Sequence, residues 1–153
     1  MTQTDWDYYQ CNVNDQLSSI FVDLSIARQA PLTSLPILHW HWIRLRFPND
    51  QGMSTDQEFD ALCHYQDNLE AAISGSDDIR YVGRITGSGR RELYFYASAE
   101  ADVEGRIANV ISKFPEYQFQ RGSKEDAEWR QYLDLLYPGE HGLKQIMSRR
   151  TGE

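Results

Sequence analysis

A chain of 153 residues with 41% hydrophobic and 12% aromatic content can bury one core without disulfide or metal staples, and it is too aromatic for disorder. Its net charge of −8 excludes a broad phosphate-tracking surface, because nucleic-acid affinity begins with clustered Lys and Arg. Cys11 and Cys63 stand far apart with no CxxC, which excludes a zinc knuckle or a thioredoxin-type motif.

In chain order, Trp6–Cys11 and Ser18–Leu24 are two short β-rich runs. Asn12 to Gln16 between them holds Asn and Asp, which tolerate turn geometry, so a hairpin packed on a larger sheet is expected. Residues 25–36 contain two prolines and read as a connector. The next run, Leu38–Phe47, alternates. His39, His41, Ile43, Leu45 and Phe47 share one face, and Leu38, Trp40, Trp42, Arg44 and Arg46 the other. Partly apolar on both sides, it predicts a central strand covered on both faces.

Ser54 or Thr55 is expected to cap a first helix, with Gln57 and Glu58 as capping-box partners. Phe59, Leu62, Cys63, Leu69, Ala72 and Ile73 form its expected buried stripe, and Gly75 its stop. Ile79–Thr86 and Arg91–Tyr96 flank Gly87-Ser88-Gly89-Arg90, a second hairpin whose arginines are expected in solvent. A second helix is expected over Ala101–Phe114, ended by Pro115, and Tyr117–Arg121 alternates as a last strand. Ser123 is expected to cap a third helix, with Glu125 and Asp126 in its first turn and Trp129, Tyr132, Leu133, Leu136 and Tyr137 as its stripe. A short amphipathic tail follows Pro138-Gly139.

Residues 36–122 thus read strand, helix, strand, strand, helix, strand, which predicts a ferredoxin-like βαββαβ core of α+β class. The expectation is a single domain over 1–153: an added N-terminal β-hairpin and connector (1–35), the core (36–122) and C-terminal helices (123–153). The first residues carry no basic and apolar leader, and no apolar run reaches membrane-spanning length. With two reduced thiols, these features predict a cytoplasmic protein with no membrane contact.

The segments Trp6-Asp7-Tyr8-Tyr9, Tyr81-Val82-Gly83-Arg84, Arg91–Tyr96, Phe114-Pro115-Glu116-Tyr117, Asp126–Trp129 and Leu136-Tyr137-Pro138 occur in that order. Together they resemble a bacterial family known as domain of unknown function 695, from Trp6 to about Pro138. Some members are joined to a domain similar to the regulator of ribonuclease E activity B, a small acidic protein that inhibits by binding. The resemblance implies regulation by binding and carries no catalytic residues. His39 and His41 fall outside its pattern.

Trp40, Trp42, Arg44, Arg84, Arg91, Tyr94 and Tyr96 are the candidate partner-binding residues, because Trp, Tyr and Arg dominate interface energetics. The plainer account is that the hairpin or the third helix covers these rings as a second core layer. Four rings on neighbouring strands also invite comparison with RNA-recognition sheets. Against RNA stand the charge balance and the lack of an RNP1 pattern in Arg91–Tyr96.

His39 and His41 share a strand face, so both can address one metal, with His64, His141, Cys11 or a carboxylate completing the site. No third ligand is brought close by spacing, and hydrogen-bonded histidines beside the core are the plainer account. GxSxG, HExxH and GxGxxG are absent, and Gly87–Arg91 lacks the P-loop Lys-Ser/Thr. The expectation is a non-enzymatic cytoplasmic protein, without cofactor or metal, that masks a protein partner. It would act as a ribonuclease-regulator-like inhibitor or a toxin-immunity protein. An RNA-binding module and a metal-dependent enzyme around His39 and His41 are the alternatives.

Overall fold

The computed structural model describes residues 4–73 and 76–152. Among these residues, six strands form one sheet: β1 (Trp6–Val13), β2 (Gln16–Asp23), β3 (Ile37–Arg44), β4 (Ile79–Gly87), β5 (Arg90–Ala97) and β6 (Phe119–Glu125). Their spatial order is β1-β2-β4-β5-β3-β6, every neighbouring pair antiparallel. Helices α1 (Phe59–Ile73) and α2 (Val103–Ile111) cover one face of the sheet. A π-helical segment (Gln131–Leu136) and α3 (Glu140–Thr151) cover part of the other. The fold is therefore mixed α+β, with an N-terminal hairpin, a central sheet and C-terminal helices.

Both hairpins close on two residues with positive φ, Asn14 and Asp15 (52° and 65°) and Ser88 and Gly89 (54° and 77°). That pair of left-handed residues matches the twist of antiparallel strands. A bulge between Tyr81 and Gly83 shifts the register of β4 against β5. It lets Tyr81 join the α1–α2 core while Val82 and Ile85 join the opposite one.

The strand rich in His and Trp lies between β5 and β6; one face is covered by α1 and α2, and the other is covered at its Leu38 end. His41 and Ile43 are buried toward α1 and α2, and Leu38 packs into the second layer. It ends at Arg44, earlier than Phe47; Leu45 is still buried, but Phe47 is 40% exposed.

The phase of α1 differs from expectation. Its buried residues are Leu62, Tyr65, Gln66, Leu69 and Ile73, whereas Phe59 is 60% exposed and Cys63 lies in solvent. Spacings of three and four residues through Tyr65 define the stripe, and a phenol with a polar tip masked it in the sequence. Nor does a capping box form. Thr55 makes no side-chain cap; its hydroxyl donates to the Phe47 carbonyl. The Glu58 carboxylate instead accepts from the N–H groups of Arg46 (2.8 Å) and Phe47 (3.0 Å) and from the Tyr117 hydroxyl (2.6 Å). A buried carboxyl group with that many donors is satisfied and ties the end of β3 to the start of α1. Gly75, expected to stop α1, lies outside the described residues.

Helix α2 is shorter than Ala101–Phe114 because Asp102 caps it, accepting from the Gly105 N–H at 3.0 Å. The third helix starts later than expected. Ser123 is no cap, since β6 continues to Glu125. The capping role falls to Asp126, whose carboxylate accepts from the N–H groups of Arg130 and Gln131, both at 3.0 Å, and from the Tyr96 hydroxyl at 2.6 Å. Burial opposes ionisation there, but these three donors hold its pKa below the usual carboxylate value.

Trp129 anchors this second layer. It is fully buried, stacks on Tyr96 with ring centroids 4.0 Å apart, and donates its indole N–H to the Leu35 carbonyl at 2.9 Å. Tyr132 donates to the Asp23 carbonyl (2.6 Å) and Tyr9 to the Leu136 carbonyl (2.7 Å), so phenols pin the layer to the sheet. At the sheet edge, the Gln145 amide pairs with both the N–H and the C=O of Gln10 in β1. Arg149 and Arg150 bind Asp7. An edge so occupied no longer templates another strand.

Candidate partner-binding surface

The seven candidate residues do not form one patch. Tyr94 and Tyr96 are 4% and 0% exposed, beneath the C-terminal layer built on Trp129 and Tyr132. Burial raises both phenol pKa values, with the Glu92 carboxylate adding at Tyr94 and Asp126 at Tyr96. Neither ring is available to a partner, and no platform of four rings exists. The third helix is thus the cover for these two. Sequence pattern did not reveal this, because Trp129 reaches Tyr96 through a turn at Asp126 that resembles a helix start.

The other end of the same face stays open. On it, Trp40 lies opposite Tyr94 and Gly122, Trp42 opposite Glu92 and Gln120, and Arg44 opposite Arg90. Trp40 and Trp42 are half-buried, and Arg44 and Arg90 are exposed. Trp40 lies so close over β6 that a Cβ at Gly122 would sit 2.4 Å from its ring; only glycine admits it.

Arg44 and Arg90 face each other directly across two strands, an arrangement that like charges oppose. Both guanidiniums lie 5.4 Å from the Trp42 ring centre, so cation–π attraction offsets part of that repulsion, about 0.5–1 kcal/mol each at an exposed position. Glu92 is only 4.0 Å from Arg90, a long contact. Beside this cluster a cleft of about 220 Å³ runs between the two hairpin tips, lined in part by Asn14, Ser18, Ser88, Arg90 and Tyr94.

Arg84 and Arg91 belong elsewhere. They project from the α1–α2 side of the sheet, diagonal to each other on β4 and β5. The expectation of solvated arginines holds for Arg90 and only in part for Arg91, which is half-buried and donates from Nε to the Thr86 hydroxyl at 3.0 Å. Burial and the neighbouring Arg84 charge bring its pKa down to about 10.

His39 and His41 also separate in role. His41 is fully buried, stacks on Phe95, and shares a 2.5 Å hydrogen bond between Nε2 and the Tyr65 hydroxyl, while its Nδ1 has no partner among the described residues. Burial, helped by the Arg121 charge, pushes its pKa down to about 3 and keeps it neutral. Burial also lowers that of half-buried His39, against the pull of Glu104. Among the described residues no group of three or more His, Cys, Asp and Glu is placed to hold a metal ion. No helix among them is long and apolar enough to cross a membrane.

These features define a mixed α+β domain whose own helices cover much of both sheet faces and leave open a Trp- and Arg-bearing end. The chain belongs to the family of unknown function DUF695, whose model matches residues 4–137. That match takes in the whole sheet and the π-helical segment and stops before α3. A search of the curated proteins finds no match.

Proposed function

We propose that this chain is a ferredoxin-like, non-enzymatic binding domain that masks a protein partner through Trp42, Arg44 and Arg90. The strand order β4-β5-β3-β6, with two helices packed on one side, supports the ferredoxin-like reading of its core. A cytoplasmic setting is in keeping with two thiols that stand free.

The observation that carries the binding role is the Arg44–Arg90 pair, two like charges held across from each other over one indole. Such a pair gains most from a carboxylate supplied by another molecule, and Trp and Arg are the side chains that concentrate binding energy at interface centres. The partner surface is therefore one with an Asp or Glu at its centre, in the manner of a regulated nuclease or a toxin held by its immunity protein. RNA is the weaker reading, since Tyr94 and Tyr96 are not available to stack on bases.

A photo-crosslinking amino acid placed at position 42 in the native host tests the role. The expected result is one protein adduct, lost when Arg44→Glu and Arg90→Glu are combined. Labelling equal to that from exposed Asp60 on the opposite face, or adducts to RNA alone, would refute it.

A further inference from the structure

On the α1–α2 side of the sheet, the N-terminal hairpin extends beyond the helices and leaves a groove of about 320 Å³. Two cross-strand rows floor it. One runs Gln10, Ser19, Thr86, Arg91, and the next runs Tyr8, Phe21, Arg84. Met53 and Ser54 wall it.

The charge in this groove is unmatched. Neither Arg84 nor Arg91 is ion-paired with a carboxylate among the described residues. The nearest acids are committed or distant. Glu58 is fully engaged by Arg46, Phe47 and Tyr117, and Glu70 influences Arg84 without pairing with it. Burying a guanidinium without an anion is costly, so a fold that places one beside another and leaves both open to a groove has a vacancy for negative charge.

The arginines are also held in place. Arg91 is fixed by its Nε–H bond to Thr86, and Arg84 lies over the Phe21 ring at 4.6 Å, itself stacked on Trp6 at 4.9 Å. Because the Thr86 hydroxyl accepts from Arg91, its own hydrogen is left for another acceptor. Ser19 lies directly opposite Thr86 and adds a second hydroxyl. Two guanidinium forks and two hydroxyl donors suit a group with three acceptor oxygens better than a carboxylate with two. The groove volume exceeds what a free ion needs and is near the lower end for small-molecule pockets.

We propose that this groove binds the phosphoryl group of a small molecule, gripped by Arg84 and Arg91 and by the hydroxyls of Ser19 and Thr86. It lies on the opposite face of the sheet from Trp42, so it stands independently of the partner-binding reading.

The test is amide-shift titration of the isotope-labelled full chain, at low salt, with inorganic phosphate, glycerol phosphate and adenosine monophosphate. Saturable shifts at Ser19, Arg84, Thr86 and Arg91 are expected with at least one of them. Tighter binding of either ester identifies an esterified ligand, and equal binding identifies the free ion; both uphold the site. Both arginines are half-buried, and Arg91 is also bonded to Thr86, so Arg84 carries the first substitution. R84Q is expected to weaken binding about tenfold or more, and R91K, which keeps the charge and loses the fork, to weaken it too. Absence of saturable shifts with all three probes, shifts centred on Arg44 and Arg90, or undiminished binding by both variants would overturn the proposal.

Discussion

Trp129→Ala is expected to destabilise the fold by about 3–5 kcal/mol, read as a fall in the urea midpoint at constant slope. The ring is fully buried between Tyr96 and Tyr132, and its N–H satisfies the Leu35 carbonyl. Losing it opens a cavity where the C-terminal layer meets the sheet and leaves that carbonyl unpaired. Trp129 also has φ of 57°, the left-handed region that bulky residues rarely occupy. Glycine adopts that conformation freely, so Trp129→Gly is expected to be less destabilising than Trp129→Ala by about 1 kcal/mol, the reverse of the usual order. A loss below about 1 kcal/mol for either variant would mean that the layer does not depend on this ring.

Below pH 6.5 the fold is expected to lose stability at roughly 1.4 kcal/mol per pH unit on account of His41 alone. In the unfolded chain this imidazole takes up a proton near its ordinary pKa of 6.5, whereas in the fold burial holds that value down to about 3. Between those limits the unfolded state binds more protons, so acid favours unfolding; above 6.5 the term is constant. Half-buried His39 shifts in the same direction and adds a smaller slope. Asp126, whose pKa is lowered in the fold, adds its loss only below the ordinary carboxylate range. Urea unfolding between pH 7 and pH 4.5 reads the histidine slope, which Glu70, its pKa raised in the fold by burial, offsets in part toward the acid end. His41→Phe keeps the stack on Phe95 but leaves the Tyr65 hydroxyl without its partner, so its stability at neutral pH falls. Its diagnostic is the slope, which is expected to flatten; an unchanged slope would exclude His41 as the buried neutral group.

What could be read from the sequence follows the strength of local periodicity. The two-sided strand β3, both hairpin turns and the inward face of α2 were legible, because alternation, Asn-Asp or Ser-Gly pairs and three-four spacing each leave a local signature. Strand β6 was only half legible. It is an edge strand, mostly exposed from Gln120 to Glu125, so its second half carries no apolar alternation and reads as a helix approach. That error moved the cap from Asp126 to Ser123. In α1, counting Cys63 and Phe59 as apolar and Tyr65 as neutral rotated the stripe by roughly one position.

The candidate residues were of the right type, but their grouping was not legible. Strand parity placed Trp40, Trp42, Tyr94 and Tyr96 on one face correctly, yet it gave no sign of where the C-terminal layer stops covering that face. Arg84 was beyond reach for a different reason. The bulge at Tyr81–Gly83 reverses side-chain parity along β4, and nothing local in Tyr81-Val82-Gly83-Arg84 distinguishes it from a regular strand.

The central claim is that the Trp42 end of the sheet is completed by another protein, whereas the Tyr96 end is completed by this chain. Comparing Trp42→Ala with wild type for both unfolding stability and affinity for the crosslinked partner tests it most directly. The account predicts a stability change within about 1 kcal/mol and a loss of binding of at least about 2 kcal/mol, roughly thirtyfold in Kd. A variant that unfolds as readily as Trp129→Ala while binding its partner undiminished would make Trp42 a core residue and contradict the claim.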